Sequence, residues 1–166
     1  MGKWKKAFVK SLDPEIEPLK SFEFGPPATE AELAALSAAV SAKLPEDLVD
    51  FLREFNGIKR PGMLGDKEPY FFNTQEMPSG GEYYRNWDCD TTLCMEWFKS
   101  VLFVCQENGY SAMWAFVIKP LEGFKYGDIV SFDHDRISFA ETPADLFTVN
   151  YENLLQLVEA QYKDAG

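Results

Sequence analysis

Between Pro27 and Gly57 the chain runs through two stretches of helical periodicity separated by a proline. Leu33, Leu36, Val40 and Leu44 recur at spacings of three, four and four, one apolar stripe on a helix. Thr29 is a good N-cap, and Glu32 can complete a capping box. The alanines at 31, 34, 35, 38, 39 and 42 add helix propensity and let a neighbour approach closely. Pro45 disfavours helical backbone at Leu44, so the first helix is predicted to end there. The same proline suits the start of a second helix, favoured by Glu46 and Asp47. Leu48, Phe51, Leu52 and Phe55 form its apolar face, and Gly57 after Asn56 is placed to close it in the left-handed conformation.

Before this pair, Trp4, Phe8 and Leu12 lie four apart and predict a short amphipathic helix over residues 3–12. Pro14, Pro18, Pro26 and Pro27 make the next stretch an extended connector. Residues 58–68 read as a loop and Tyr70–Phe72 as a short strand. Ser79-Gly80-Gly81 marks a turn in a weakly patterned stretch. Leu93, Cys94, Trp97 and Phe98 have helical spacing, with Asp90 or Thr91 as caps.

The second half changes period. Val101–Cys105 is an apolar run, Asn108-Gly109 a hairpin signal, and Met113–Ile118 a return strand. Asp128–Phe132 alternates, Asp133–Arg136 reads as a turn, and Ile137–Ala140 as a last strand. Thr142-Pro143 starts a helical tail with Asp145 placed to cap it and Leu146, Phe147, Leu154, Leu155, Val158 and Tyr162 on its buried side. Helices, then strands, then helix predict an α+β fold with an antiparallel sheet. No internal repeat or linker appears, so 1–166 reads as one domain.

The wording of these elements carries a further signal. The first block has a Pro-Ala-Thr start, an acidic first turn, a Lys-Leu-Pro-Glu-Asp junction, a Phe-Leu pair and a closing Asn-Gly. It resembles the SUKH superfamily, in particular its Smi/Knr branch. VLFVCQENGYSAMWAF resembles that family's first sheet hairpin, GDIVSFDHD its next strand and turn, and Ala-Glu-Thr-Pro-Ala-Asp-Leu-Phe its closing strand-to-helix step. The matches fall in order over about residues 22–160, with 1–21 as an added helix and connector. The Glu107–Tyr110 turn is poorer in Gly and Asp than the family's usual hairpin, and 73–92 matches nothing in it.

The resemblance implies a SUKH-like α+β domain, its antiparallel sheet flanked by an N-terminal helical hairpin and a C-terminal helix. It also implies a protein that binds other proteins and is not an enzyme. Bacterial members of the superfamily are immunity proteins that neutralise polymorphic toxins, often nucleases. A scaffold or regulatory module for endogenous proteins is the alternative of the same fold. A neighbouring toxin gene would separate the two.

Composition narrows the partner. The 166 residues carry 27 acids against 16 bases, a net charge of −11. Such a chain repels phosphate, so nucleic acid is not an expected partner. A basic toxin domain, or plain solubility, accounts for the charge better. Cys89, Cys94 and Cys105 form no disulfide framework, which suits the reducing cytoplasm. No apolar run follows Lys3, Lys5 and Lys6, so neither a signal peptide nor a membrane span is expected.

Candidate chemistry is thin. His134 stands alone between Asp133 and Asp135, whose charges weaken it as a base. Three cysteines and one histidine do not make a tight zinc set, and Asp88/Asp90 lack the spacing of a calcium loop. No catalytic residue, metal site or cofactor is expected. The segment around Tyr83, Tyr84, Trp87, Asp88 and Asp90 is different in kind, because Tyr and Trp are enriched at interface hot spots. These rings either fold back onto the sheet or face a partner. With Glu107 and Tyr110 of the hairpin turn, they are the predicted partner-binding residues.

Overall fold

The computed structural model describes residues 1–12, 21–62, 67–80, 92–106, 113–132, 134–137 and 139–160, with the backbone alone at 92–94 and 134. Its frame is a seven-stranded antiparallel sheet whose strands lie in chain order. These are β1 (Glu23–Phe24), β2 (Ile58–Pro61), β3 (Lys67–Phe71), β4 (Val101–Gln106), β5 (Met113–Val117), β6 (Ile129–Phe132) and β7 (Phe147–Tyr151). The helices are α1 (Lys3–Ser11), α2 (Glu30–Val40), α3 (Glu46–Glu54), α4 (Thr92–Phe98), α5 (Pro143–Leu146) and α6 (Leu154–Ala160). The α+β class with an antiparallel sheet is as expected.

Every residue of β4 is buried, so both faces of the central sheet are covered. A bulge between Phe103 and Cys105 decides how. Phe103 pairs with Ala115 and Cys105 with Trp114, and successive strand residues point to opposite faces. Phe103 therefore turns toward Phe98 of α4, with ring centroids 5.7 Å apart. Cys105 shares the face of its partner Phe71, which packs on Phe51 of α3 at 5.0 Å. Two aromatic clusters result. Phe51 holds Trp4, Phe55 and Phe71, and Phe8 holds Phe22, Phe24 and Tyr70. On the other face Phe98 gathers Phe103, Phe132 and Phe147. Most contacts are edge-to-face, the arrangement ring quadrupoles favour.

The sheet is thinnest between β3 and β4, where the paired register is Phe71 with Cys105. There the buried Gln106 side chain donates from Nε2 to the Pro69 carbonyl at 2.6 Å. A side-chain amide thus joins strands beside a residue with no N–H of its own to pair.

Several boundaries differ from the sequence reading. The first long helix stops at Val40, four residues before the expected end. Ser41 adopts φ 52°, its N–H reaches Ala38 O, and the Ala42 N–H reaches Ser37 O. This is a Schellman closure with serine in the glycine position. Gly57 does have positive φ, 90°, but α3 has ended at Glu54 and Phe55 is extended. That positive φ already favours glycine, and a Cβ there would also lie 3.0 Å from Asn73 Cβ. Residues 58–61 and 67–68 are strand rather than loop, and the strand expected at Tyr70–Phe72 is β3, which starts earlier, at Lys67, and ends at Phe71. Ile137 and Ala140 belong to no strand, because Phe139 and Ala140 both donate to the Arg136 carbonyl in a turn. The last strand is β7 instead. It splits the expected helical tail into α5 and α6 and carries Phe147 into the sheet opposite Phe132.

Candidate functional site

Tyr83, Tyr84, Trp87, Asp88, Asp90, Glu107 and Tyr110 all lie outside the described residues, in 81–91 and 107–112. Their anchors are described. The first segment departs from Gly80, whose N–H donates to Met77 O and whose Cβ position lies 3.0 Å from Phe103 Cβ. The second departs from Gln106 and returns at Met113, a paired position of β4 and β5. Both segments are thus rooted at β4. Near their roots two buried polar atoms, Gln106 Oε1 and Trp114 Nε1, have no partner among the described residues.

A second feature was not singled out by sequence. α2, α3 and their junction line an open groove of about 560 Å³. The Thr29–Glu32 capping box fixes one end of α2: Thr29 N–H donates to Glu32 Oε2 at 2.7 Å, and Glu32 N–H to Thr29 Oγ1 at 3.2 Å. Buried Leu33 and Leu44 and half-buried Val49 line the floor. The rim is charged. Arg53 grips Glu30 through two bonds, Nε to Oε1 at 2.9 Å and Nη2 to Oε2 at 3.0 Å. Lys43 Nζ stands 3.8 Å from Glu46, and Asp50 completes the rim. At the Lys43 end, Tyr126 donates its hydroxyl to the Lys43 carbonyl at 3.1 Å and leaves its ring 52% exposed. Partial burial, and then the Glu46 charge, push its pKa up, so it is a neutral phenol near pH 7.

A family model, the SMI1 / KNR4 family (SUKH-1), matches residues 27–149. The chain belongs to this family. A comparison with curated proteins finds no match. The matched span opens at the cap of α2 and closes within β7. Outside it, α1 and α6 pack on one another and are joined at the surface by Lys10 and Glu159, 3.9 Å apart. Glu54 of α3 ties α1 to the matched part by accepting the N–H groups of Trp4 and Lys5, each at 2.9 Å.

The described residues of this SUKH-1 chain give little purchase to chemistry. Among them no group of three or more His, Cys, Asp or Glu side chains is placed to hold a metal ion. His134 lies in a 3-10 turn, His134–Arg136, and Cys105 is buried in β4. Cys89 and the Cys94 side chain lie outside the described residues. Three carboxyls are held below their ordinary range, each for a structural reason. Arg53 bonds to Glu30, the Thr29 N–H and hydroxyl to Glu32, and the Thr142 hydroxyl and N–H to Asp145. A general acid needs the opposite shift. No helix among the described residues is long and apolar enough to cross a membrane.

The groove escaped the sequence reading because its walls, Ala34 and Ser37 among charged rim residues, are what any solvated helix carries. Tyr126 gave the one local signal, an aromatic set between Lys125 and Gly127-Asp128 in a polar turn. Its contact with Lys43 spans 83 positions and is invisible to local pattern.

Proposed function

We propose that this SUKH-1 chain is a non-catalytic protein-binding domain, and specifically a cytoplasmic, bacterial immunity protein that binds and neutralises a cognate toxin. The observation that carries the reading is membership of the SUKH-1 family by a chain of net charge −11. The charge favours a basic toxin domain such as a nuclease, since opposite potentials speed encounter and suppress wrong partners. In this reading the whole chain acts as one domain. Tyr83, Tyr84, Trp87, Asp88, Asp90, Glu107 and Tyr110 supply the toxin contact from the two segments rooted at β4. An interface of standard size, about 1,600 Å² in total, suffices for tight occlusion.

The test is co-expression with the toxin encoded beside this gene. Cells carrying both are expected to survive where cells with the toxin alone die, and the two proteins are expected to co-elute in gel filtration. Death at an unchanged rate, with no complex recovered, would remove the immunity reading for that pair.

A further inference from the structure

The two edges of the sheet are finished differently. β1 is two residues long, carries the exposed Glu23 and runs into Gly25-Pro26-Pro27, so a further strand finds little ladder there. β7 is five residues long, and among the described residues it has a neighbouring strand, β6, on one side only. Its sequence, Phe147-Thr148-Val149-Asn150-Tyr151, has neither charge nor proline to guard the edge, in a chain with 27 acids and 16 bases. Its one guard is a bulge at Asn150, and that side chain is drawn back to donate from Nδ2 to Ser131 Oγ at 2.6 Å.

Among the described residues the exposed large apolar side chains are Met1, Tyr126, Phe139 and Val149. The last two border this edge. Val149 is the middle residue of β7 and is 50% exposed. Phe139 shares a surface cleft of about 280 Å³ with Ala144 and Asp145 of α5, which runs directly into β7. An exposed ring beside an unguarded strand marks an interaction surface.

We propose that β7 pairs antiparallel with β7 of a second copy of this chain, about a two-fold axis at Val149. The edge selects that occupant because it complements itself. In this register Val149 meets Val149, Thr148 meets Asn150, and Phe147 meets Tyr151. β-branched, hydrogen-bonding and aromatic pairs of this kind are favourable across strands. No like charges fall opposite one another, since Glu152 lies against Leu146. Thr148, Val149 and Asn150 are exposed, so the pairing leaves the core as it is. A basic partner would find no acid on β7 to select it.

Net charge gives the association a sign. Two chains of −11 repel, and salt shortens the reach of that repulsion to about 8 Å at physiological ionic strength. The dimer therefore tightens with added salt, whereas a complex with a basic protein weakens. A five-residue edge is small beside a standard interface of about 1,600 Å² in total, so the dimer is weak and concentration-dependent.

The test is sedimentation equilibrium of the full-length protein alone, from about 10 μM to about 1 mM. The average mass is expected to climb toward twice the monomer's, and further in about 0.5 M salt than in about 0.05 M. Val149→Glu should stay monomeric with unchanged Tm. Val149→Cys should gain a reducible interchain cross-link over the wild-type background, and Thr148→Cys should not. Residues directly opposite have Cβ atoms about 4.5–5.5 Å apart, within disulfide reach, and diagonal neighbours lie about 7–8 Å apart. Monomer mass throughout, association that weakens with salt, or a dimer that survives Val149→Glu overturns the proposal. No toxin is present, so this result and the survival of toxin-expressing cells are read independently.

Discussion

α2 and α3 are neighbours in sequence, joined through Pro45, and are stabilised by opposite means. α3 is amphipathic: Leu48, Phe51 and Leu52 are buried, while Glu46, Asp50 and Arg53 are exposed. Burial holds it, through Phe51 and its contacts to Trp4, Phe55 and Phe71. α2 buries two leucines and is held at its ends, by the Thr29–Glu32 box and the left-handed closure at Ser41. Side-by-side helices of one hairpin thus separate two tasks. One anchors the core, and the other is fixed by its caps so that an apolar face stays open.

The sharpest way to break this contrast is to truncate each helix. Phe51→Ala removes the centre of the larger aromatic cluster and should cost about 3–5 kcal/mol in denaturant unfolding. Ala38→Glu, on the exposed wall of α2, should stay within about 0.5 kcal/mol of wild type. If Ala38→Glu costs as much as a core truncation, the alanine face is covered in solution and the distinction between the helices fails.

A smaller effect tests the caps. Thr29→Ala should destabilise the fold by about 1 kcal/mol near neutral pH, because the Glu32 N–H loses the Thr29 Oγ1 acceptor and the Glu32 carboxylate loses the Thr29 hydroxyl. The sign with pH follows from Glu32. Its folded pKa is depressed by the Thr29 N–H and hydroxyl, so its contribution is complete above the ordinary glutamate range and is lost as pH falls through the lower folded value. Thr29→Ala removes only the hydroxyl's share of that depression, so the gap between wild type and the variant should narrow by that share from about pH 5 downward in Tm measurements. A gap that stays constant to acid pH would mean that the Thr29 hydroxyl does not bond the Glu32 carboxylate in solution.

The capping signals were legible in sequence because they are local. Thr29 with Glu32 and Thr142 with Asp145 both close as reciprocal boxes. Strands β4, β5 and β6 were legible because apolar runs buried on both faces need no partner to be recognised. β2 was not, because one of its two inward positions, beside Ile58, is Arg60. That guanidinium is 4% exposed and is matched by Glu68 Oε1 at 2.9 Å and the Tyr70 ring at 5.0 Å, neither of which local pattern reveals. Phe147 reads as helical beside Leu146 until β6 pairs it with Phe132. Phe139 looked like strand but is 83% exposed in a turn. For the candidate site the same division holds. Aromatic and acidic clusters can be seen in one dimension, whereas a groove between two helices exists only after packing.

The smallest effect concerns the residue that ends α2 early. Ser41 sits at φ 52°, where a Cβ is strained and glycine is not. Its hydroxyl adds little, since its bond to Ala38 O is 3.4 Å long. The Schellman bonds come from backbone N–H groups that glycine also has. Ser41→Gly should therefore relieve strain worth about 1 kcal/mol against a comparable entropic loss in the unfolded chain, for a net change of a few tenths of a kcal/mol at most. Ser41→Val, with branching at a left-handed position, should destabilise by clearly more. The two variants bracket the closure in denaturant melts. If valine is tolerated as well as glycine, the left-handed stop is not what ends the helix, and α2 would be free to extend toward Leu44 and close the mouth of the groove.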